Sequence, residues 1–450
     1  MQEDDTLLEQ GMSAAPAVSA GLRERLTTFL TPILQDLDSY IDRRLVRTLR
    51  DTVEAVLVFR NRAMGLLLSE LGGYLLSFDH APAGTKRLSN LLRCRKWDAS
   101  LIESWLWQQA DAERQRLVAS GQKPLVLWDE SVNEKPESIA SDDLGSVRSS
   151  KAHRLTRIKK GYYTPPKGPV FVPGFRWIGL LVCGCSEAPC VAAMQWWTNR
   201  GENALEASDV KRSLLFRCAE EWGRSVLHVW DRGEAGGPWL SSALSLSLRF
   251  VVRWPKRYHL LDATGREHCA WQIARGKKAW DQKEVRVLPG RPAVLVKVLA
   301  LPVSHPRYAG HRLTLVVART GKGKEPWYLL TTEPVETPQA AWDIVFAYTR
   351  RWQIEMTFRY TKSELAMESP RLWTLERRVK MLLIVTLAYA FLLSLLIGPL
   401  SIVRQWLLRF FCHRNGKRGR DVPAPLYRLR AALSRLWTAY PNAPSTGNSG

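Results

Sequence analysis

Cysteine is sparse in this chain, with seven in 450 residues. Cys183, Cys185 and Cys190 cluster, but no second Cys or His pair stands at zinc-ligand spacing, which argues against a structural zinc site. An odd, scattered set suits reduced, buried thiols in a cytosolic protein. A secretory leader is missing as well. Met1-Gln2-Glu3-Asp4-Asp5 places acids where such a leader is basic and then apolar, so no export is expected. Long apolar runs are scarce. Met381 to Gly398 has no charged residue and lies near the lower limit for a membrane span, about 18 residues. Thr386, Tyr389 and Ser394 interrupt it, and Arg377, Arg378, Lys380 and Arg404 flank both ends without an orientation bias. The expectation is a core helix buried on all sides, and no membrane. Acids are also in short supply: 43 Asp and Glu face 65 Lys and Arg, for a net charge of +22. That surplus favours a polyanionic partner, because each neutralised phosphate releases condensed counterions.

What is present supports a folded, multi-part chain. Hydrophobic residues make up 46% and aromatics 10%, enough for real interiors rather than disorder. The length suits about two to four domains. Residues 1 to about 20 read as a polar, Ala-rich leader. From Gly21 to about Gly121 apolar residues recur three and four apart, as in Leu26, Phe29, Leu30 and Ile33, which predicts helices. Gly84 to Leu92, following Pro82, reads either as the basic helix of a helix-turn-helix-like DNA reader or as an exposed helix of a bundle. Pro124 to Trp128 predicts a buried strand ending at Asp129. Residues 144–186 contain no acid, and Arg148, Lys151, Arg154, Arg157, Lys159, Lys160 and Lys167 alternate there with Tyr162 and Tyr163. Such a stretch is a loop that tracks phosphates, or else a solvated linker. Trp177–Cys183 and Val191–Trp196 predict a strand pair, 203–222 a helix, 225–230 a strand running into Asp231, 238–247 a helix and Phe250–Val252 a strand. That order predicts a mixed α/β sheet with helices on its faces. Residues 255–334 then read as β hairpins, a β insertion before the last helices. Nine Lys or Arg lie between Ser401 and Arg435 against one acid, Asp421.

Chemistry concentrates after the insertion. Tyr348, Arg351, Glu355, Arg359 and Lys362 stand at offsets of 0, 3, 7, 11 and 14, which predicts one stripe on a single helix. Two readings of the stripe stand: cations and a phenol gripping phosphates on either side of a metal at Glu355, or an ordinary salt-bridged face. Asp129 and Asp231 each follow an apolar strand, where a bare carboxylate needs a partner or a cation. Three carboxylates from separate segments suit Mg²⁺ or Mn²⁺ rather than zinc. Two such ions about 4 Å apart serve phosphoryl transfer.

The spacing of Tyr348, Arg351, Glu355 and Lys362 matches the Y-R-E-K signature of insertion-sequence transposases, and here the chain resembles that family. The text around it agrees: Tyr348-Thr349-Arg350-Arg351-Trp352-Gln353-Ile354-Glu355, Leu329 to Glu336 before it, and the Asp231-Arg232-Gly233 turn, which resembles the family's second acidic motif. The resemblance covers residues 120 to about 380. It implies a ribonuclease-H-like catalytic core with an inserted β domain, an N-terminal helical DNA-binding domain and a helical, basic C-terminal region. The boundaries it suggests are 1–120, 121–254, 255–336, 337–400 and 401–450. It implies a metal-binding catalytic triad of Asp129, Asp231 and Glu355 holding two Mg²⁺ or Mn²⁺ ions. Tyr348, Arg351, Lys362 and the charge-matched Arg359 would contact DNA phosphates. Trp327 occupies the position where relatives that form DNA hairpins stack an aromatic on a flipped base; a core aromatic is the alternative. The chain departs from the family pattern at Glu130-Ser131, where hydroxyl residues usually follow the first Asp. Neighbouring strand residues face opposite ways, so only one of Asp129 and Glu130 fits a metal site. The function so implied is cleavage and transfer of double-stranded DNA at inverted repeats, by a cytoplasmic, nucleoid-associated homodimer. A ribonuclease-H-like nuclease and a catalytically idle DNA-binding descendant are the alternatives.

Overall fold

The computed structural model describes residues 7–59, 64–138, 141–155, 168–285, 293–321, 323–397, 400–412 and 426–441. The greater part of the basic loop, residues 156–167, and the tail segments 413–425 and 442–450 lie outside the described residues. The N-terminal helices are α1 (Ala15–Asp38), α2 (Arg43–Val58), α3 (Leu68–Leu75), α4 (Ala81–Arg93) and α5 (Ala99–Ala119). From residue 7 onward the Ala-rich leader is helical, against expectation. Its burial explains the difference: Ala15 and Ser19 are buried, Ser19 Oγ donates to the Tyr440 carbonyl, and Trp406 Nε1 donates to the Gly11 carbonyl.

A mixed α/β sheet follows, built from β1 (Leu125–Glu134), β2 (Gly145–Arg148), β3 (Phe171–Cys183), β4 (Cys190–Trp197), β5 (Leu227–Trp230), β6 (Phe250–Arg253), β7 (His259–Leu261), β8 (Glu267–Cys269), β9 (Asp281–Val285), β10 (Val294–His305), β11 (Tyr308–Arg319) and β12 (Trp327–Thr331). Its order is β2-β3-β1-β5-β6-β12-β11-β10-β7-β8, with β4 on β3 and β9 on β10. Helices α6 (Ser150–Leu155), α7 (Ala207–Glu221), α8 (Gly237–Ser245) and α9 (Ala270–Ala274) interrupt the strands. The chain then continues through α10 (Pro338–Thr349), α11 (Trp352–Ser363), α12 (Leu375–Ser394), α13 (Ser401–Phe410) and α14 (Leu426–Ala439). The β-rich stretch after residue 255 continues the same sheet, because β12 pairs antiparallel with β6 at Leu329↔Arg253 to Thr331↔Val251.

Alternation along β1 decides which face packs against what. Val126 and Trp128 point into an apolar cluster with Leu214 and Leu215 of α7 and Leu240 of α8, whereas Leu125 and Leu127 point to the opposite face, toward Ile354 of α11 and the apolar helix α12. From Met381 to Leu393 every residue of α12 but Ala390 is buried, among α2, α4, α5, α14 and β4. Among the described residues no helix is long and apolar enough to cross a membrane.

Within the helical part, α3 and α4 cross backbone to backbone at two glycines. A Cβ on Gly84 would lie 2.2 Å from the Gly72 carbonyl oxygen and 2.8 Å from its Cα. The crossing leaves Lys86, Arg87, Asn90 and Arg93 of α4 exposed while Leu88, Leu91 and Leu92 are buried. Gly84→Ala is expected to force the helices apart at a cost of about 1–3 kcal/mol of overpacking, read as a lower urea midpoint. An unchanged midpoint would mean the two backbones do not meet there.

Candidate active site

The acids converge through strand register. The parallel pairing of β1 and β5 runs Leu125↔Leu227, Val126↔His228 and Leu127↔Val229. Two residues further along each chain stand Asp129 and Asp231. Asp129 is not at a strand end, as the sequence pattern suggests: β1 runs on through Glu134, because the long β3 keeps pairing with it as far as Glu134↔Gly174. It is β5 that stops, at Trp230, so Asp231 emerges at the sheet edge beside Asp129. Opposite Asp129 on β3 stands Gly179. A Cβ there would come within 2.9 Å of both Ile354 and Phe358, so this bare position lets α11 lie close over the sheet and carries Glu355 to the acids.

The expected single helix bearing the five-residue stripe is two helices. α10 ends at Thr349 and α11 begins at Trp352. The junction is tightened by three-residue hydrogen bonds: Arg350 N to Ala347 O, Arg351 N to Tyr348 O and Ile354 N to Arg351 O, each 3.1 Å. Tyr348, Arg351 and Glu355 nonetheless meet beside Asp231, with the Arg351 guanidinium 5.9 Å from the Tyr348 ring centre. Tyr348 is buried at the end of α10, its ring edge-on to Trp327 at 5.3 Å and its hydroxyl 3.4 Å from Asp231 Oδ1. Trp327 is half-buried, with the Arg253 guanidinium 5.9 Å from its ring centre. Arg359 is exposed. Lys362 reaches back to β1, donating to Ser131 Oγ at 2.8 Å and to the Val132 carbonyl, with Glu368 at 3.8 Å. It fastens α11 to the sheet.

Arg351 stands at the centre. Its Nη1 is 3.7 Å from Asp129 Oδ2, its Nε is 3.8 Å from Asp231 Oδ1, and its Nη2 is ion-paired with Glu355 Oε1. One guanidinium thus gathers carboxylates 102 and 124 residues apart in sequence. The acids are partly exposed, with side chains 22%, 45% and 33% exposed for Asp129, Asp231 and Glu355. Burial pushes the Asp129 carboxyl up to about 7; Arg351 and the Glu130 N–H oppose the rise, and the charges of Asp231 and Glu355 add to it. Burial also raises the Tyr348 phenol.

By donor chemistry, three carboxylates fit a hard divalent cation. By spacing they are arranged around the guanidinium instead: among the described residues no three His, Cys, Asp or Glu side chains stand close enough to enclose an ion.

Sequence reasoning missed the support on the other face of the sheet. Glu130 points away from the acids, and Lys211 of α7 holds it at 2.5 Å while also holding Glu234, in the turn after Asp231, at 2.7 Å. Lys211 clamps the Asp129 strand to the Asp231 turn. Its only sequence signal is a lone lysine on a helix facing the sheet, which pattern cannot separate from a surface residue. Lys211→Met would leave two carboxylates facing each other. It is expected to lower the urea midpoint, at a cost of about 1–3 kcal/mol for leaving part-buried charged groups unpaired. A midpoint equal to wild type would show that Lys211 clamps nothing.

No family model matches the chain, and no curated protein matches its sequence. Among solved structures, the cryo-EM structure of the piggyBac transposase synaptic complex with hairpin DNA is similar at a TM-score of 0.40 and 11% identity, over 88% of this chain and 76% of that one. At that TM-score the likeness carries no inference about this chain.

Proposed function

We propose that the chain is a DDE-type transposase of the insertion-sequence kind, which cuts double-stranded DNA at inverted repeats and joins the freed ends to a target. The observation that carries this reading is the meeting of Asp129, Asp231 and Glu355 at one guanidinium, with that arginine and Glu355 belonging to the Y-R-E-K spacing. The net charge of +22 supports a nucleic-acid partner. The run β4-β3-β1-β5-β6, three antiparallel strands continued by two parallel ones, supports reading this region as a ribonuclease-H-like core.

Asp129, Asp231 and Glu355 are the residues that would hold Mg²⁺ or Mn²⁺, two ions per site. Bound there, divalent cations supply charge that favours the attacking and the leaving oxygen of a phosphodiester. In the first step water adds to phosphorus, the bond to the 3′-oxygen breaks, and a 3′-hydroxyl is left. That hydroxyl then gives up its proton, and its oxygen bonds to the phosphorus of a second phosphodiester, on the opposite strand to close a hairpin or in the target to join it. The bridging 3′-oxygen of the attacked phosphodiester leaves as a hydroxyl. Tyr348 orients Asp231 through its hydroxyl, Lys362 fixes the helix carrying Glu355, and Arg351 and Arg359 grip phosphates. Trp327, edge-on to Tyr348 beside the acids, supports the base-stacking role that a hairpin requires. The exposed Lys86, Arg87, Asn90 and Arg93 face of α4 supports sequence reading at the repeat. A homodimer on paired ends, acting in the cytoplasm at the nucleoid, completes the proposal.

The test is to incubate the full chain with a linear duplex carrying the DNA that flanks its reading frame, with and without Mg²⁺ or Mn²⁺. Metal-dependent breaks ending in a 3′-hydroxyl at a repeat boundary are expected. Absence of any metal-dependent break, with the duplex bound, would overturn the proposal. It would favour the second reading, an idle DNA-binding descendant, which has one observation on its side: Arg351 already offsets charge on the acids.

A further inference from the structure

We infer that a cleft on the far face of the sheet from the acids binds single-stranded DNA, with Trp271 stacking on an unpaired base and the cations around it taking phosphates. The inference goes beyond the proposed function and does not depend on the cleavage assigned to the acids.

Alternation along β12 separates the two places. Trp327 packs on the face that carries Leu127, Tyr348 and Ile354, and Tyr328 packs on the opposite face with Ala270 and Ile273 of α9. Two adjoining recesses open there, of about 310 and 630 Å³, and Trp271 and Tyr328 line both. The larger falls within the range of about 300–1,000 Å³ that holds a small organic ligand, so one nucleotide has room. Backbone bonds fix the walls. Trp271 N donates to the Lys256 carbonyl at 3.2 Å and Ala270 N to the Tyr258 carbonyl at 3.0 Å. Arg319 closes the other end of α9, donating to the carbonyls of Ala274 at 2.9 Å and Lys277 at 3.1 Å. The aromatic wall therefore stands before any ligand arrives.

Chemistry selects the occupant. Among the described residues lining the recesses, the cations are Lys256, Arg257, Arg275, Arg319 and Lys324, and the one acid is Glu325, which pairs with Lys256 at 3.2 Å. That surplus calls for an anion. Trp271 stands 38% exposed among these charges, apolar surface that an acidic peptide or a bare phosphate would leave uncovered. In a duplex the base faces are already stacked on one another, so paired DNA can offer phosphates here and nothing more. An unpaired strand offers a base face and a phosphate at each step, the pair of groups that aromatic and basic side chains take together.

The experiment measures fluorescence anisotropy of a labelled oligo-dT of about ten nucleotides, within the usual site size, on the full-length chain without divalent metal. Wild type, Trp271→Ala, Trp271→Phe and Arg275→Ala are compared, with thermal melts to verify folding. Trp271→Ala is expected to weaken binding roughly tenfold, within the effect of removing one stacking partner, and Trp271→Phe to recover most of it. Its affinity for a labelled duplex is expected to stay at the wild-type value. Arg275→Ala is expected to lower the slope of log affinity against log salt by about 0.7, one phosphate contact on a single strand. Wild-type affinity for oligo-dT in Trp271→Ala overturns the inference, and so does an equal loss for duplex. An unchanged slope in Arg275→Ala overturns the assignment of the cations to phosphates. A second arm uses wild-type protein alone, so it holds even if a variant misfolds. A strand of the same length built from abasic sugars is expected to bind roughly tenfold more weakly than oligo-dT, and equal affinity overturns the stacking.

Discussion

Asp129→Asn is expected to lower metal-dependent DNA cleavage by about a thousandfold or more while duplex affinity stays near wild type, the scale of losing a group that acts mainly on the transition state. The amide matches the carboxylate in shape, so β1 and its pairing with β3 are undisturbed. What goes is the negative charge that a cation would require. The same change also relieves strain among like charges. Asp129 is held largely out of water beside Asp231 and Glu355, with only Arg351 close by to offset three acids. The variant's melting temperature is therefore expected to equal or exceed that of wild type, the pattern of a residue kept for activity at a cost in stability. Gel assays of cleavage, anisotropy with a labelled duplex and a thermal melt check the three parts. Cleavage within tenfold of wild type would remove Asp129 from the chemistry.

The second large effect lies one residue before an acid. Trp230 is 1% exposed, with Phe250 stacked on it at 5.1 Å and Trp239 edge-on at 5.4 Å. Trp230→Ala is expected to cost about 3–5 kcal/mol, the range for deleting a large buried aromatic. The cavity would open at the last residue of β5, so the turn that presents Asp231 should lose its support as well. Urea unfolding measures the first effect. A conservative Trp230→Phe should recover most of the stability, because the ring keeps its stacking and the indole N–H has no hydrogen-bond partner to lose. A Trp230→Ala midpoint equal to wild type would contradict the packing described.

Strand alternation explains why so much of the sheet is readable from the chain. Val126 and Trp128 against Leu125 and Leu127 mark a strand buried on both faces, and Trp327–Thr331 is recognisable to the residue. The apolar run from Met381 reads as a core helix for the same reason: a helix apolar all round must be covered. Errors fall where local pattern and long-range pairing disagree. Glu130 to Glu134 look too polar for a strand, yet β3 holds them in one through its own length. The offsets from Tyr348 to Lys362 suit one helix, yet three-residue hydrogen bonds at Arg350 and Arg351 divide it into two. Gly179 and Lys211 carry no local signal at all, since a glycine in a strand and a lysine on a helix acquire meaning only from what lies across from them.

The amino-acid sequence by itself determined the identity of the acids, the four-residue spacing, the excess of positive charge and the alternation that builds the sheet, because these depend on residue type and separation along the chain. Only the tertiary structure decided that Asp129 and Asp231 lie side by side, that Glu355 joins them, and that one guanidinium lies among all three. Distances between residues more than a hundred positions apart are set by strand register and by how closely a helix packs on a sheet, and neither quantity is local.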